Sequence, residues 1–172
     1  MPDVSSFETA RLRAERLRSD HFDALSRMHQ DPRVMATLGG LRTPEETRRL
    51  LNDNLAHWDR YGFGLWLVTG RDDEAFAGRG GLRHVRVGGN DEIELAYAVA
   101  ADRWGQGLAT EMAGAMLTIG FRDLGLAEVV CFTMTSNRAS RRVMEKLGFT
   151  YERNIVYANL PHVLYRRRAG EG

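Results

Sequence analysis

The chain has 172 residues, 43% of them hydrophobic and 27% charged, with a formal net charge of +1 from 24 basic and 23 acidic side chains. That size and balance fit one soluble domain, here residues 1–172, whose core needs no staples, and the matched charges argue against a dedicated nucleic-acid binder. One cysteine cannot form an internal disulfide, and the histidines at 21, 29, 57, 84 and 162 lack zinc-site spacing, so no metal is expected. No run approaches the ~18 apolar residues that cross a bilayer, and Asp3, Glu8 and Arg11 stand where a signal peptide would be apolar. The expectation is a cytoplasmic protein with neither membrane nor nucleic acid as partner.

Residues 1–6 and 169–172 read as frayed ends. Thr9 to Arg18 reads as a strand anchored by Leu12 and Leu17, and Ser19 as the cap of a helix presenting Phe22, Leu25 and Met28. Asp31-Pro32 breaks that helix. Thr43-Pro44-Glu45-Glu46 starts another, with a cap, a first-turn proline and acids at the positive dipole end. Leu51, Leu55 and Trp58 mark its apolar face, and it ends near Tyr61-Gly62. Strands follow at Phe63–Thr69, Ala75–Val87 and Glu92–Val99, the last two joined by a turn at Gly88-Gly89-Asn90-Asp91. A glycine loop at 104–107 opens a helix burying Met112, Ala115, Met116 and Ile119. Ala127–Thr135 reads as a buried strand, and Ser136-Asn137 opens a helix that Gly148 ends. Phe149–Tyr157 and His162–Arg168 close the chain as strands around a turn at Asn159-Leu160-Pro161. Seven strands and four helices in this order describe a layered α/β (α+β) domain with a mixed sheet, not an alternating doubly wound one.

The segment Trp104-Gly105-Gln106-Gly107-Leu108-Ala109-Thr110 is the most informative. Glycines let backbone N–H groups turn toward a ligand, and a helix start adds unpaired donors and a positive dipole end. Together they make an anion site, most naturally for pyrophosphate. No lysine supplies a Walker loop. Glu128, the acid at Rossmann spacing, begins the next strand instead of ending it. A bare helix start with flexible glycines is the bland alternative.

At this point the chain resembles the GNAT superfamily of acyl-CoA-dependent N-acetyltransferases. The loop is similar to that family's [Q/R]-x-x-G-x-[G/A] signature, with Trp104 in the Gln/Arg place and Arg103 before it, as in the branch that includes ribosomal-protein N-terminal-alanine acetyltransferases. Glu8-Thr9-Ala10-Arg11-Leu12, Leu17-Arg18-Ser19-Asp20, Ile93-Glu94-Leu95-Ala96-Tyr97, and Ser136-Asn137-Arg138-Ala139-Ser140 followed by Glu145-Lys146-Leu147-Gly148-Phe149 resemble the other motifs of that branch, in the same order. The resemblance implies a twisted mixed seven-stranded sheet whose fourth and fifth strands splay around acetyl-CoA. It implies that backbone near Tyr97 and Val99 holds the pantetheine, and that the N–H groups of Gly105, Gln106, Gly107, Leu108, Ala109 and Thr110 hold the pyrophosphate. Family members are often dimers through the last strands or a sheet edge.

Acetyl transfer to an amine needs a proton acceptor for the ammonium, donors at the thioester oxygen and a proton for the departing thiolate. Glu94 shares a strand face with Ala96 and Ala98, which leaves room beside a thioester, so Glu94 is the candidate base. A partly buried carboxylate holds a proton more tightly than a solvated one; the competing reading is a solvated strand carboxylate paired with an arginine. Many family members carry a tyrosine where this chain has Met144, which cannot donate. Ser140, one helical turn earlier, is the substitute acid, unless its hydroxyl simply bonds its own helix. Asn137 either binds the pantetheine arm or caps that helix. Cys131, in the run Val129-Val130-Cys131-Phe132, reads as a buried small hydrophobe. The acceptor is a primary amine, a protein N-terminus or a small molecule, selected by residues 31–61 and 154–162, where Asp53 and Asp59 could attract a cation.

Of the 24 basic residues only Lys146 is lysine. Arginine's planar fork suits phosphate oxygens, and Arg103, Arg138, Arg141 and Arg142 surround the expected cofactor helices. Each has the alternative of being a solvated helix charge.

Overall fold

A computed structural model describes residues 2–171. Eight strands form one sheet: β1 Ser6–Glu8, β2 Leu12–Arg16, β3 Leu65–Gly70, β4 Phe76–Val87, β5 Asn90–Val99, β6 Glu128–Met134, β7 Thr150–Tyr157 and β8 Leu160–Arg168. Their spatial order is β1-β2-β3-β4-β5-β6-β8-β7, antiparallel throughout except for the parallel pair β5·β6. Among the described residues, five α-helices accompany them: α1 Phe22–His29, α2 Pro32–Met35 (Pro32, expected as a breaker, starts it), α3 Pro44–Tyr61, α4 Leu108–Thr118 and α5 Arg138–Lys146, with a π-helical extension of α4 over Ile119–Asp123.

Strand pleating sends alternate side chains to opposite faces. Leu65, Leu67 and Ala96 pack with Leu25 of α1 and Leu51 of α3 on one face. Trp66, Leu82 and Leu95 pack with Met112 and Met116 of α4 on the other. Ala115, expected on the buried face of α4, is only partly covered.

The extra strand corrects the expected count of seven. The span read as one strand from Thr9 begins with a turn at 9–11 and holds only β2, while Ser6–Glu8, ahead of it, forms β1 and pairs with β2 as a hairpin. Distant partners hold this N-terminal segment: Trp66 Nε1 donates to Val4 O at 2.8 Å, and Phe7 meets the Trp66 ring edge-on at 5.2 Å. The end is therefore not frayed at Val4, which is buried, and Ala169 N–H donates to Ala127 O at 2.8 Å. Met1 and Gly172 lie outside the described residues. Ser19 is not a cap; it sits inside a 3-10 turn, Ser19–His21, where His21 Nδ1 accepts from Arg18 N–H at 3.0 Å.

Other local signals hold. Thr43 and Glu46 form a reciprocal capping box, and α3 stops at Gly62 with φ 77°. The β4·β5 hairpin turns through Gly88 and Gly89, both at positive φ. The last turn falls at Ala158-Asn159 (φ 50° and 63°), one residue earlier than expected. A two-residue hairpin with positive φ at both positions, as here, cannot include Pro161, whose φ is fixed negative. Pro161 lies near the start of β8 instead.

β5 and β6 meet at a single register pair, Glu94↔Val130, and part beyond it. Below the opening, Arg166 of β8 ties neighbouring strands together, bonding Glu92 of β5 at 2.8 Å, Glu128 of β6 at 2.9 Å and Glu152 of β7 at 2.9 Å.

Candidate active site

The parting of β5 from β6 opens a cleft of about 730 Å³ between the two helical layers. Backbone parity decides what β5 offers it. Ala100 N–H donates to Ala77 O at 2.8 Å, so even residues of this strand end bond β4 and odd ones face β6. Leu95 O accepts from Cys131 Sγ at 3.2 Å, and Val99 O accepts the Trp104 indole N–H at 2.8 Å. Tyr97 and the N–H of Val99 therefore face the opening, as a pantetheine amide would require.

At the mouth, Gly105 and Gly107 take φ 76° and 78°, a left-handed conformation that glycine adopts without steric cost. Gly107 caps α4 with no side chain, and the first helical bond is Glu111 N–H to Gly107 O at 3.1 Å. Among the described residues, no acceptor takes the N–H groups of Gly105 through Thr110. Six donors at a positive helix end fit a pyrophosphate. The N-terminal hairpin pins this loop. Thr9 Oγ1 donates to Glu111 at 2.6 Å, Arg11 Nε donates to Glu111 at 2.8 Å, and Arg11 Nη1 donates to Gln106 O at 2.8 Å. These contacts give the Glu8–Leu12 motif a physical purpose that its sequence did not display. The Gln106 side chain is not among the groups lining the cleft, whereas Arg103, Trp104, Gly105, Gly107, Leu108, Ala109 and Thr110 are.

Glu94 lines the cleft, is 4% exposed, and shares its face with Ala96 and Ala98. It is not solitary: Arg83, opposite it on β4, donates to its carboxylate at 3.1 Å, and Glu94 in turn raises the Arg83 pKa. The arginine-paired reading is thus the observed geometry, inside the cleft and not on a solvated strand. Arg79, on the same face, is also buried. Its Nε donates to His29 Nε2 at 3.4 Å, and His29 Nδ1 bonds Thr47 Oγ1 at 2.9 Å. Burial, then the charges of Arg79 and Arg42, lower the His29 pKa to about 3, so the ring is neutral.

On the opposite face, the Tyr97 hydroxyl meets Ser140 Oγ at 2.9 Å and Ser140 O at 3.1 Å. Ser140 is therefore not simply bonded to its own helix; its hydroxyl has a phenol partner at the cleft wall. Asn137 is the N-cap, accepting from Ser140 N–H at 3.1 Å, and also lines the cleft. Met144 is buried and absent from the cleft lining. Burial pushes the Cys131 thiol up, consistent with an inert core residue, although it borders the cleft floor.

The four arginines expected near phosphates divide. Arg103 lines the cleft but is paired with Asp73 at 2.6 Å, while Arg138, Arg141 and Arg142 lie outside its lining. Tyr157 borders the cleft, Tyr165 is core, and His57 and His84 join an aromatic cluster with Tyr61 and Phe63. Asp53 and Asp59 do not reach the cleft. Its inner wall carries Arg42, Arg79 and Arg83, which the sequence reading missed.

A family model described as "Acetyltransferase (GNAT) domain" matches residues 11–150. The chain belongs to the GNAT acetyltransferase family and is an acetyl-CoA-dependent acyltransferase. It is 31% identical over 142 residues to the uncharacterized protein YkkB of Bacillus subtilis (strain 168), covering 83% of each chain. It is 34% identical over 155 residues to FsC-acetyl coenzyme A-N(2)-transacetylase of Aspergillus fumigatus, covering 85% of this chain and 65% of that one. Two solved structures share the fold. An acetyltransferase from Agrobacterium tumefaciens str. C58 has TM-score 0.85 at 24% identity, covering 98% of this chain and 96% of that one. A ribosomal-protein-S5-alanine acetyltransferase from Vibrio fischeri has TM-score 0.76 at 16% identity, covering 96% and 97%.

Proposed function

We propose that this chain transfers an acetyl group from acetyl-CoA directly to a primary amine, with both reactants held in the β5/β6 cleft and no acylated enzyme. The observation that carries this reading is the continuity of free donors along one path, from the Val99 N–H inside the opening to the unbonded N–H groups of Gly105–Thr110 at its mouth. Holding two reactants together supplies much of the acceleration.

In this reading Glu94 takes a proton from the ammonium through a water, leaving a nitrogen lone pair. That nitrogen bonds the thioester carbonyl carbon, and the C–S bond breaks. Ser140, oriented by Tyr97, gives its proton to the departing thiolate and regains one from solvent. The second nitrogen proton leaves as the amide forms. The balance is one ammonium and one thioester converted to one amide, one thiol and one proton. Arg83 keeps the Glu94 carboxylate aimed along the face cleared by Ala96 and Ala98.

The loss of a donor at Met144 favours a second reading, an acyl-CoA-binding sensor without turnover. Incubation with acetyl-CoA and a panel of peptides and small amines, read by thiol release, separates the two. Amine-dependent thiol release is expected; tight CoA binding with no release from any amine overturns the catalytic reading.

A further inference from the structure

Three guanidinium groups, from Arg42, Arg79 and Arg83, line the inner wall of the cleft against one carboxylate, Glu94, which Arg83 already occupies. Arg79 is the telling member. It is 8% exposed, its Nε is on His29, and among the described residues no group accepts from its Nη1 or Nη2. No side-chain nitrogen or oxygen of the described residues is both sealed from solvent and unbonded, so these two nitrogens open onto the cleft that Arg79 lines. Burial, then the charges of Arg83 and Arg42, pull the Arg79 pKa to about 9, still charged at neutral pH. His29 beside it is neutral, and Glu46, which acts on Arg42, is exposed and bonded into the α3 cap.

The carboxylate that acts on Arg79 is Glu94, which bonds Arg83 instead, so the Nη1/Nη2 edge of the Arg79 fork is left free for an anion, and a buried charge without a bonded partner is costly. The phosphates of CoA are not that anion. Gly80, next to Arg79 in β4, faces Met112 and Met116 of α4, so Arg79 points to the other side of the sheet from the anion site at the α4 terminus. That side is the one Glu94 shares.

Resting on the acetyltransferase reading above, we propose that the acceptor is a primary amine that itself carries a carboxylate. Arg79, helped by Arg42, seats the carboxylate, and the amine lies toward Glu94. A plain polyamine or an uncharged amide leaves the Arg79 fork unpaired.

The test begins with CoA titration by calorimetry. Thiol release is then measured for the L-α-amino acids, β-alanine and γ-aminobutyrate, each beside its carboxamide and the matching carboxylate-free amine. At least one carboxylate-bearing amine is expected to be accepted, with kcat/KM for its amide lower by roughly 10²-fold or more, since a site built around a buried polar group rejects the analogue lacking it. Arg79→Lys, which keeps the charge and loses the fork, should raise KM for that acceptor severalfold while CoA affinity holds. The substrate comparison needs no variant, so a folding defect in Arg79→Lys leaves the test intact. Amides or carboxylate-free amines accepted equally, or alone, overturn the carboxylate proposal and leave the acetyltransferase standing. Release from N-terminal peptides alone likewise overturns only the carboxylate proposal, whereas no thiol release from these amines or from peptides, with CoA bound, removes the underlying reading as well.

Discussion

The Tyr97 hydroxyl lies 2.9 Å from Ser140 Oγ, joining β5 to α5 at the wall of the cleft. Burial raises the phenol's pKa, so it stays protonated; its hydroxyl donates to the Ser140 carbonyl at 3.1 Å and holds Ser140 Oγ beside it at the cleft wall. Ser140→Ala is expected to lower kcat by roughly 10²-fold, the lower range for a general acid. Tyr97→Phe should cost less, because Ser140 keeps its own proton and loses only its orientation. Steady-state thiol release checks both, and a Ser140→Ala enzyme with unaltered kcat rules the acid role out.

Glu94→Gln keeps the shape of the side chain and can still accept from Arg83, but it has no basicity. Its kcat should fall by roughly 10²–10⁴-fold and recover in part as alkaline buffer deprotonates the amine unaided. CoA affinity should change little. A kcat–pH curve that superimposes on the wild-type curve would falsify the assignment.

His29 makes folding stability pH-dependent in a defined direction. Its pKa falls from 6.5 to about 3 on folding, through burial and then Arg79 and Arg42. Below the unfolded value the unfolded chain binds the proton and the native chain does not. Stability is therefore complete above 6.5 and declines as pH drops toward 3, by up to about 1.4 kcal/mol per unit. Urea unfolding between pH 7.5 and 5 should show wild type losing more stability than His29→Gln; parallel losses would refute it.

Gly107 takes φ 78° at the start of α4. Gly107→Ala places a Cβ in the left-handed region at a cost of about 1 kcal/mol. It should also turn the loop N–H groups away from the pyrophosphate position. Thermal unfolding reports the first effect and calorimetric CoA titration the second; an unchanged CoA Kd would mean that the loop does not hold the phosphates. Arg11→Ala, which releases the Gln106 carbonyl, should weaken CoA binding in the same assay with less loss of stability.

The features legible in the amino-acid order are those made by residues a few positions apart. The Thr43–Glu46 box, the Gly88-Gly89 turn, the Gly105–Thr110 loop and the Asn137 cap each depend on local dihedrals and hydrogen bonds, so each can be read from spacing. Alternation likewise placed Glu94 with Ala96 and Ala98 on one face. What covers that face is a different matter. Arg83 opposite Glu94, His29 behind Arg79, Ser140 under Tyr97, and Thr9 and Arg11 on Glu111 join residues 11, 50, 43 and 102 or 100 apart. Each depends on strand register and on which helix packs above, and neither is encoded in a short window. The sequence by itself determined the order of the long strands and helices and the glycine loop that opens α4, though not the short elements β1 and α2. Only the packing of β4 against β5 beneath α1–α3 decided that the cleft is lined with arginine, because a side chain's charge is written locally and its neighbours are not.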